Sequence, residues 1–345
     1  MSSRHTRIDL LAPGLLGPWP QAQAEFVCEG LEVPALRTIL AKGIREDTSA
    51  KDESLNGAFA RVFDCAPEQS AAQAALIADA PQLGIKPGQP WLRSDPVHLR
   101  ADPHGAHLVH GEALQLGEEE ANALVEELIE IPLFSELLAP QPSRWYVPTD
   151  ANVATHAPSM VFGPASRNAL PTGEDGQAWR AALTEAQMIL HSSVVNERRE
   201  SRGALPVNSL WLWGGGAAPL VGSGSFAQVL SDDPIAQGLG RLADARVESV
   251  PSGFNDASFT DEGATLITFE KLHGASQRGE VERWREGLTQ LHQSWLQPAL
   301  DALKGGGLGE LRIHSPPQVT VRVTRGSLWQ FWRPRLPFRA FVVRY

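Results

Sequence analysis

The feature that most constrains this chain is the alternation of short apolar runs with longer stretches of helical period along its last third. Pro234 to Ala243 carries a helical pattern, Val247 to Val250 and Thr265 to Phe269 read as strands, and Glu280 to Lys304 is a long amphipathic helix ended by Gly305-Gly306-Gly307. Two further strands follow, Leu311-Arg312-Ile313 and Val319 to Val323. Near the start, Ile8-Asp9-Leu10-Leu11 reads as a buried strand stopped by Pro13-Gly14, with helical patterns from Val33 to Gly43 and Glu68 to Ala80. Strands separated by helices cannot pair as hairpins. The order therefore predicts an α/β protein with a mostly parallel sheet and helices on both faces.

The middle of the chain follows a different rule. Val97-His98-Leu99-Arg100 and Ala106-His107-Leu108-Val109 flank Asp102-Pro103-His104-Gly105, so Trp91 to His110 predicts a hairpin. A helix opens at Leu116-Gly117-Glu118-Glu119 with acids in its first turn and Leu124, Leu128 and Ile129 on its apolar face. A proline-rich loop from Pro140 to Asp175 contains one strand near Arg144-Trp145-Tyr146-Val147. Gly176 to Arg202 is helical, and Val207 to Trp213 is a strand run ending in Gly214-Gly215-Gly216. The expected organisation is an α/β core in two parts, residues 1–85 and 206–325, around a smaller inserted α+β subdomain at 86–205, with a basic aromatic tail at 326–345.

Charge narrows the partners. The net charge of −10 repels phosphate backbones, which makes nucleic acid an unlikely partner for the whole molecule. The charge is segregated: Glu118, Glu119, Glu120, Glu126, Glu127 and Glu130 crowd one segment, whereas seven arginines and no acid lie between Leu311 and Tyr345. No basic stretch with an apolar run opens the sequence, and no apolar run is long enough to span a membrane. Cys28 and Cys65 stand alone, without metal or disulfide spacing. These features lead to a cytoplasmic expectation.

Asn196-Glu197-Arg198-Arg199-Glu200-Ser201-Arg202-Gly203-Ala204-Leu205-Pro206-Val207-Asn208, followed by Trp211-Leu212-Trp213-Gly214-Gly215-Gly216, is the most specific stretch. It resembles the N-x-x-R-x-x-x-G-x-x-P-x-N and W-x-W-G-x-G pattern of the archaeal-type cofactor-independent phosphoglycerate mutases. Pro34 to Gly43, Asp95 to Arg100 and Ala236 to Pro251 resemble other parts of that family in the same order. The run from Trp91 to Asp102 also resembles the bacterial RpfE-type regulatory proteins, a phosphoglycerate-mutase-like group. The resemblance implies an alkaline-phosphatase-like fold in degenerate form. In that fold two divalent metals, held by Asp and His at strand ends, activate a Ser or Thr nucleophile. Against the family pattern, Pro13-Gly14 stands where Asp-Gly is expected, Lys271 to Arg278 where D-x-x-x-H is expected, and His314-Ser315-Pro316-Pro317 where Asp-His is expected. His273 and His314 are the only histidines near those strand ends, and no carboxylate is expected beside them. Ser70, near the nucleophile's place, reads as a helix N-terminal residue, since a serine without a metal or base is a poor nucleophile.

No catalytic residue, metal ligand or cofactor is assigned on this reading. The expected function is a non-catalytic phosphoglycerate-mutase-like regulatory or scaffold protein. The alternative is a metal-dependent phosphomutase or phosphatase with a rearranged site. Arg100, Asn196, Arg199 and Asn208 are the candidate pocket for an anion such as a phosphorylated small acid. The rival for the arginines is a helix face salt-bridged to Glu197 and Glu200. The histidines 98, 104, 107 and 110 read as exposed hairpin residues and the glycine run as a flexible turn. In the tail, Trp329, Trp332, Arg333, Arg335 and Arg339 are candidates to grip a protein partner, against a plain packing role.

Overall fold

The computed structural model describes residues 7–342 apart from 18, 48–53, 66–70, 86–88, 103–104, 159–169, 217–219, 223, 261–262, 317–318, 331 and 335. Among these the strands are β1 (Arg7–Leu11), β2 (Ile44–Asp47), β3 (Trp91–Asp102), β4 (Gly105–His110), β5 (Leu138–Gln141), β6 (Arg144–Pro148), β7 (Ser209–Gly216), β8 (Gln228–Leu230), β9 (Arg246–Glu248), β10 (Ala264–Thr268), β11 (Glu310–Ser315) and β12 (Val319–Thr324). The chain forms two compact units. Residues 1–67 and 221–345 make one, and residues 68–220, inserted in its sequence, make the other. The expected boundaries at 85/86 and 205/206 thus stand against 67/68 and 220/221, because helix Ala71–Asp79 and β7 go with the inserted unit.

The first unit holds a seven-stranded sheet in the order β2-β12-β11-β1-β10-β8-β9. From β11 to β9 every pairing is parallel; β12 and β2 extend the sheet antiparallel. It is thus a mixed α/β unit with a mostly parallel sheet. β10 is buried at every residue, as a strand covered on both faces must be, whereas β11 and β12 alternate buried and half-buried residues. Ile8, Leu10, Leu311, Ile313, Val321 and Val323 share a core with Leu36 and Ile39 of helix Pro34–Lys42 and with Trp284, Leu288 and Leu291 of helix Val281–Leu291.

The long helix expected from Glu280 to Lys304 is interrupted. A π-helical turn, His292–Leu296, separates Val281–Leu291 from Gln297–Gly305, and Pro298 at the start of the latter explains the break, since it lacks the N–H that an unbroken ladder needs. The helical stretch from Gly176 to Arg202 likewise divides into Gly176–His191 and Val194–Ser201, where the Ser193 hydroxyl accepts the Val195 N–H and starts a new helix.

The inserted unit is built on an antiparallel sheet in which β3 pairs with β4, β6 and β7. Its core joins Trp145 and Leu212 from the sheet to Leu124 and Leu128 of helix Glu118–Leu128 and Trp179 and Leu190 of helix Gly176–His191. The Trp179 ring meets Phe134 edge-on at 5.7 Å. Gly214-Gly215-Gly216 is not a loose turn but the end of β7. At Gly214, where φ is +68°, an added Cβ would lie 3.3 Å from the Ala72 backbone nitrogen, so the small residue lets helix Ala71–Asp79 approach the strand.

Candidate functional site

In the inserted unit the sequence motifs meet because β3 and β7 pair, with Asp95 opposite Trp211. The Trp213 indole N–H donates to Asp95 Oδ2 at 2.7 Å, and the Arg93 guanidinium grips the same carboxylate with Nε at 3.0 Å and Nη2 at 2.8 Å. Arg93 also lies over the Trp213 ring at 4.5 Å and the Tyr146 ring at 5.5 Å. Tyr146 Oη donates to Asp79 Oδ2 at 2.6 Å, and Arg144 holds both Asp79 oxygens at 2.7 Å. Burial, reinforced by Asp79, pushes the Tyr146 phenol well above its ordinary pKa, so it stays a proton donor. Each charge in this cluster has its counter-charge in place.

Of the four proposed anion-pocket residues, Asn196, Arg199 and Asn208 spend their polar groups on protein partners. Arg199 has no solvent exposure; Nε donates to Leu205 O at 2.9 Å, Nη2 to Leu114 O at 2.6 Å and Nη1 to Glu120 Oε2 at 2.7 Å. The Asn196 amide donates to Leu190 O and Val207 O and accepts from Val207 N–H, while Asn208 exchanges two hydrogen bonds with the Leu99 backbone. These side chains direct their polar groups at protein backbone and pin the 203–208 connection between helix Val194–Ser201 and β7. Arg100 stands exposed on β3. Arg199 and Arg202 pair with Glu120 of helix Glu118–Leu128, not with Glu197 or Glu200. Although desolvation opposes it, the Gly117 N–H and the two arginines hold the Glu120 carboxyl below its ordinary value.

Of the hairpin histidines, His98 is half-buried with Nδ1 2.9 Å from Pro206 O, and His110 is exposed. His104 lies outside the described residues, and so do Ser70 and Arg335. For His107 the description extends to its backbone alone, opposite Arg100.

In the first unit, ligands of parallel sheets gather beyond the carboxyl ends of the strands. The exit of β1 is the turn Ala12-Pro13-Gly14-Leu15-Leu16, whose residues are buried. Gly14, at φ +78°, packs so tightly on helix Lys271–Gln277 that an added Cβ would lie 2.6 Å from Ser276 Oγ and 2.8 Å from Leu272 O. At the exits of β8 and β10, Ser231 Oγ lies 2.7 Å from Thr268 Oγ1, and Asp233 caps helix Pro234–Leu242. Glu270 follows β10, and burial, with Asp233 and Asp232 close by, pushes its carboxyl up to about 8. His273 is buried, which together with Arg278 lowers its pKa and keeps the ring neutral. His314 does have a carboxylate beside it, contrary to expectation. Its Nε2 is 2.8 Å from Asp9 Oδ1, Arg7 Nε donates to Asp9 Oδ2, and His314 Nδ1 faces Thr320 Oγ1 at 3.1 Å. Asp9 sits two residues before the strand end, so the fixed register with β11 had to be known to place it there. Among the described residues no group of three or more His, Cys, Asp and Glu side chains converges to hold a metal ion.

The tail divides. Phe338, Phe341 and Val342 are buried in the first unit's core, Phe338 stacks on Trp284 at 6.3 Å, and Arg45 lies over Phe341 at 4.7 Å. Arg333 Nη1 donates to Gly43 O, and Lys42 Nζ reaches Gln330 O and Arg333 O. Trp329 and Trp332 are exposed, at 74% and 67%, and Arg339 is exposed as well. A 2,3-bisphosphoglycerate-independent phosphoglycerate mutase from Methanothrix thermoacetophila is 26% identical over 168 residues, 44% of this chain and 43% of the relative. The chain is a distant homologue of the archaeal-type cofactor-independent phosphoglycerate mutases. A probable enzyme of the same name from Geobacter sulfurreducens is 30% identical over 122 residues, 33% of this chain and 30% of the relative. The matched stretches thus span less than half the length of these relatives. No protein-family model matches the chain. Among solved structures, the PH0037 protein from Pyrococcus horikoshii shares the fold, with a TM-score of 0.53 at 13% identity over 93% of this chain and 87% of that one. Among the described residues no helix is long and apolar enough to cross a membrane.

Proposed function

We propose that this chain is a non-catalytic, phosphoglycerate-mutase-like regulatory or scaffold protein of RpfE type, on a degenerate alkaline-phosphatase-like fold. The observation that carries the reading is the exit of β1, where a metal-binding enzyme needs a carboxylate and this chain buries Ala12-Pro13-Gly14 against helix Lys271–Gln277. The groups at the other strand exits are committed elsewhere. His314 is tied to Asp9 and Thr320, and among the described residues no group of three or more His, Cys, Asp and Glu side chains gathers around His273. Two hard cations need several ionised oxygen or free imidazole ligands at one point, and these residues do not fit that demand. Of the four candidate anion residues, Arg100 is the exposed cation left to meet a phosphorylated small acid. The partner-facing part of the tail is Trp329 and Trp332 with Arg339, whose exposed rings and guanidinium suit a protein contact.

One observation favours the alternative of a rearranged metal-dependent phosphomutase or phosphatase: Glu270, just after β10, has its pKa raised by burial and by the neighbouring charges of Asp233 and Asp232. Metal analysis with turnover assays separates the two readings. Purified protein incubated with manganese, magnesium or zinc should neither retain stoichiometric metal nor convert 3-phosphoglycerate or 4-nitrophenyl phosphate. Chelator-sensitive turnover that disappears in Glu270→Gln establishes the alternative instead.

A further inference from the structure

Helix Gly176–His191 packs against β7 of the inserted unit. Between it and β7 is a cavity of about 300 Å³. Its walls are mainly apolar, with Leu183 of the helix and Leu210, Trp211 and Leu212 of β7, but they also include Thr184 and the hydrogen-bonded pair Gln187 and Ser209. Leu183, Leu210, Trp211 and Leu212 are buried in the protein and still present surface to the cavity. Among the described lining residues one is charged, Arg180.

Arg180 is the anomaly. Its guanidinium is half-buried, and Nη1 donates to Pro171 O, which fixes the head group in place. Among the described residues it has no carboxylate partner, whereas Arg93, Arg144, Arg199 and Arg202 of the same unit each have one. Withdrawing a cation from water without a counter-charge is costly, and here the cost is met beside a largely apolar cavity. A planar guanidinium held by one N–H keeps further donors for a carboxylate. With one cation and leucine walls, the site balances one negative charge and rejects a multiply charged phosphate ester. The volume equals that of roughly ten waters, enough for a body of about ten non-hydrogen atoms.

We propose that this cavity binds a small organic monocarboxylate with an aromatic or branched aliphatic body, the carboxylate on Arg180 and the body between Leu183, Leu210 and Trp211. The proposal is independent of whether the first unit is catalytic. Its test is titration of the full chain with phenylacetate, the neutral isostere phenylacetamide, and 3-phosphoglycerate, followed by ligand-observed NMR and calorimetry. Phenylacetate should bind saturably and about tenfold or more tighter than phenylacetamide, the worth of one charge-assisted contact. Arg180→Gln, which keeps a donor for Pro171 O, should erase that difference. Thr184→Trp, on the exposed flank of the helix at the cavity, should abolish binding with an unchanged Tm. No saturable phenylacetate binding at about 10 mM overturns the proposal. So does equal binding of acid and amide, an undiminished preference in Arg180→Gln, or 3-phosphoglycerate competing for the cavity.

Discussion

Replacing Arg199 by methionine removes a guanidinium with no solvent exposure and leaves a side chain of similar length. The carbonyls of Leu205 and Leu114 lose their donors, and the weaker 3.5 Å contact to Gln115 O is lost with them. Each buried carbonyl stranded in this way costs about 1–3 kcal/mol. Glu120 suffers less, because Arg202 and the Gly117 N–H still hold it. Breaking a buried pair by deleting one partner costs about 3–5 kcal/mol, and the two routes agree on a loss in that range. For a unit of this size each kcal/mol lowers Tm by about 2–4 °C, so the transition should fall by roughly 6–20 °C. Arg199→Lys restores the charge without the planar fork and should recover only part of the loss. Thermal unfolding followed by tryptophan fluorescence, with and without millimolar phosphate, reads both quantities. A loss below about 1 kcal/mol refutes the structural role. If that stable variant also loses a phosphate-induced rise in Tm present in the parent, Arg199 belongs to an anion site after all.

Other perturbations have equally definite outcomes. Deleting residues 327–345 removes Phe338, Phe341 and Val342 from the core, so the truncated chain should unfold or aggregate, whereas Trp329→Ser with Trp332→Ser should stay within about 0.5 kcal/mol of the parent in urea titration. Gly14→Ala should cost roughly 2–5 kcal/mol by the same measurement, combining a positive φ with a methyl 2.6 Å from Ser276 Oγ. Glu270 has its carboxyl pKa raised in the folded protein from 4.5 to about 8, so its contribution is fully present below pH 4.5 and is lost as pH climbs towards 8. Denaturation across that window should show stability falling with pH, and Glu270→Gln should flatten the slope and be the more stable form at pH 8.

The core strands β1 and β10 were legible as short, largely apolar runs, and β11 as the alternation of Leu311 and Ile313 with polar residues. β2 and β8 carried no such mark: Ile44–Asp47 is mostly charged, and Gln228–Leu230 is three residues whose glutamine bonds Glu248 and Thr265 in the assembled sheet. Helix Gln21–Cys28 was equally silent, starting from Pro20 without a side-chain cap. At the candidate site the residue types were readable and their targets were not. Arg199 and Asn196 look like anion ligands in a motif, but their acceptors are main-chain carbonyls, which every residue carries and no pattern announces. The Asp9–His314 pair was hidden for a related reason: the two residues are 305 apart in sequence and meet only through parallel register.

That register also sets a timetable. β1 is a central strand, yet its neighbours begin at Ala264 and Glu310, so during synthesis it has nothing native to pair with until most of the chain exists. At 5–20 residues per second the gap from Arg7 to Ala264 is about 13–50 s. The inserted unit, residues 68–220, is complete well before then and can fold on the nascent chain, while Ile8, Leu10 and Leu11 wait exposed. Chaperone dependence in this protein should therefore trace to its first eleven residues, and translation speed after residue 220 should govern yield.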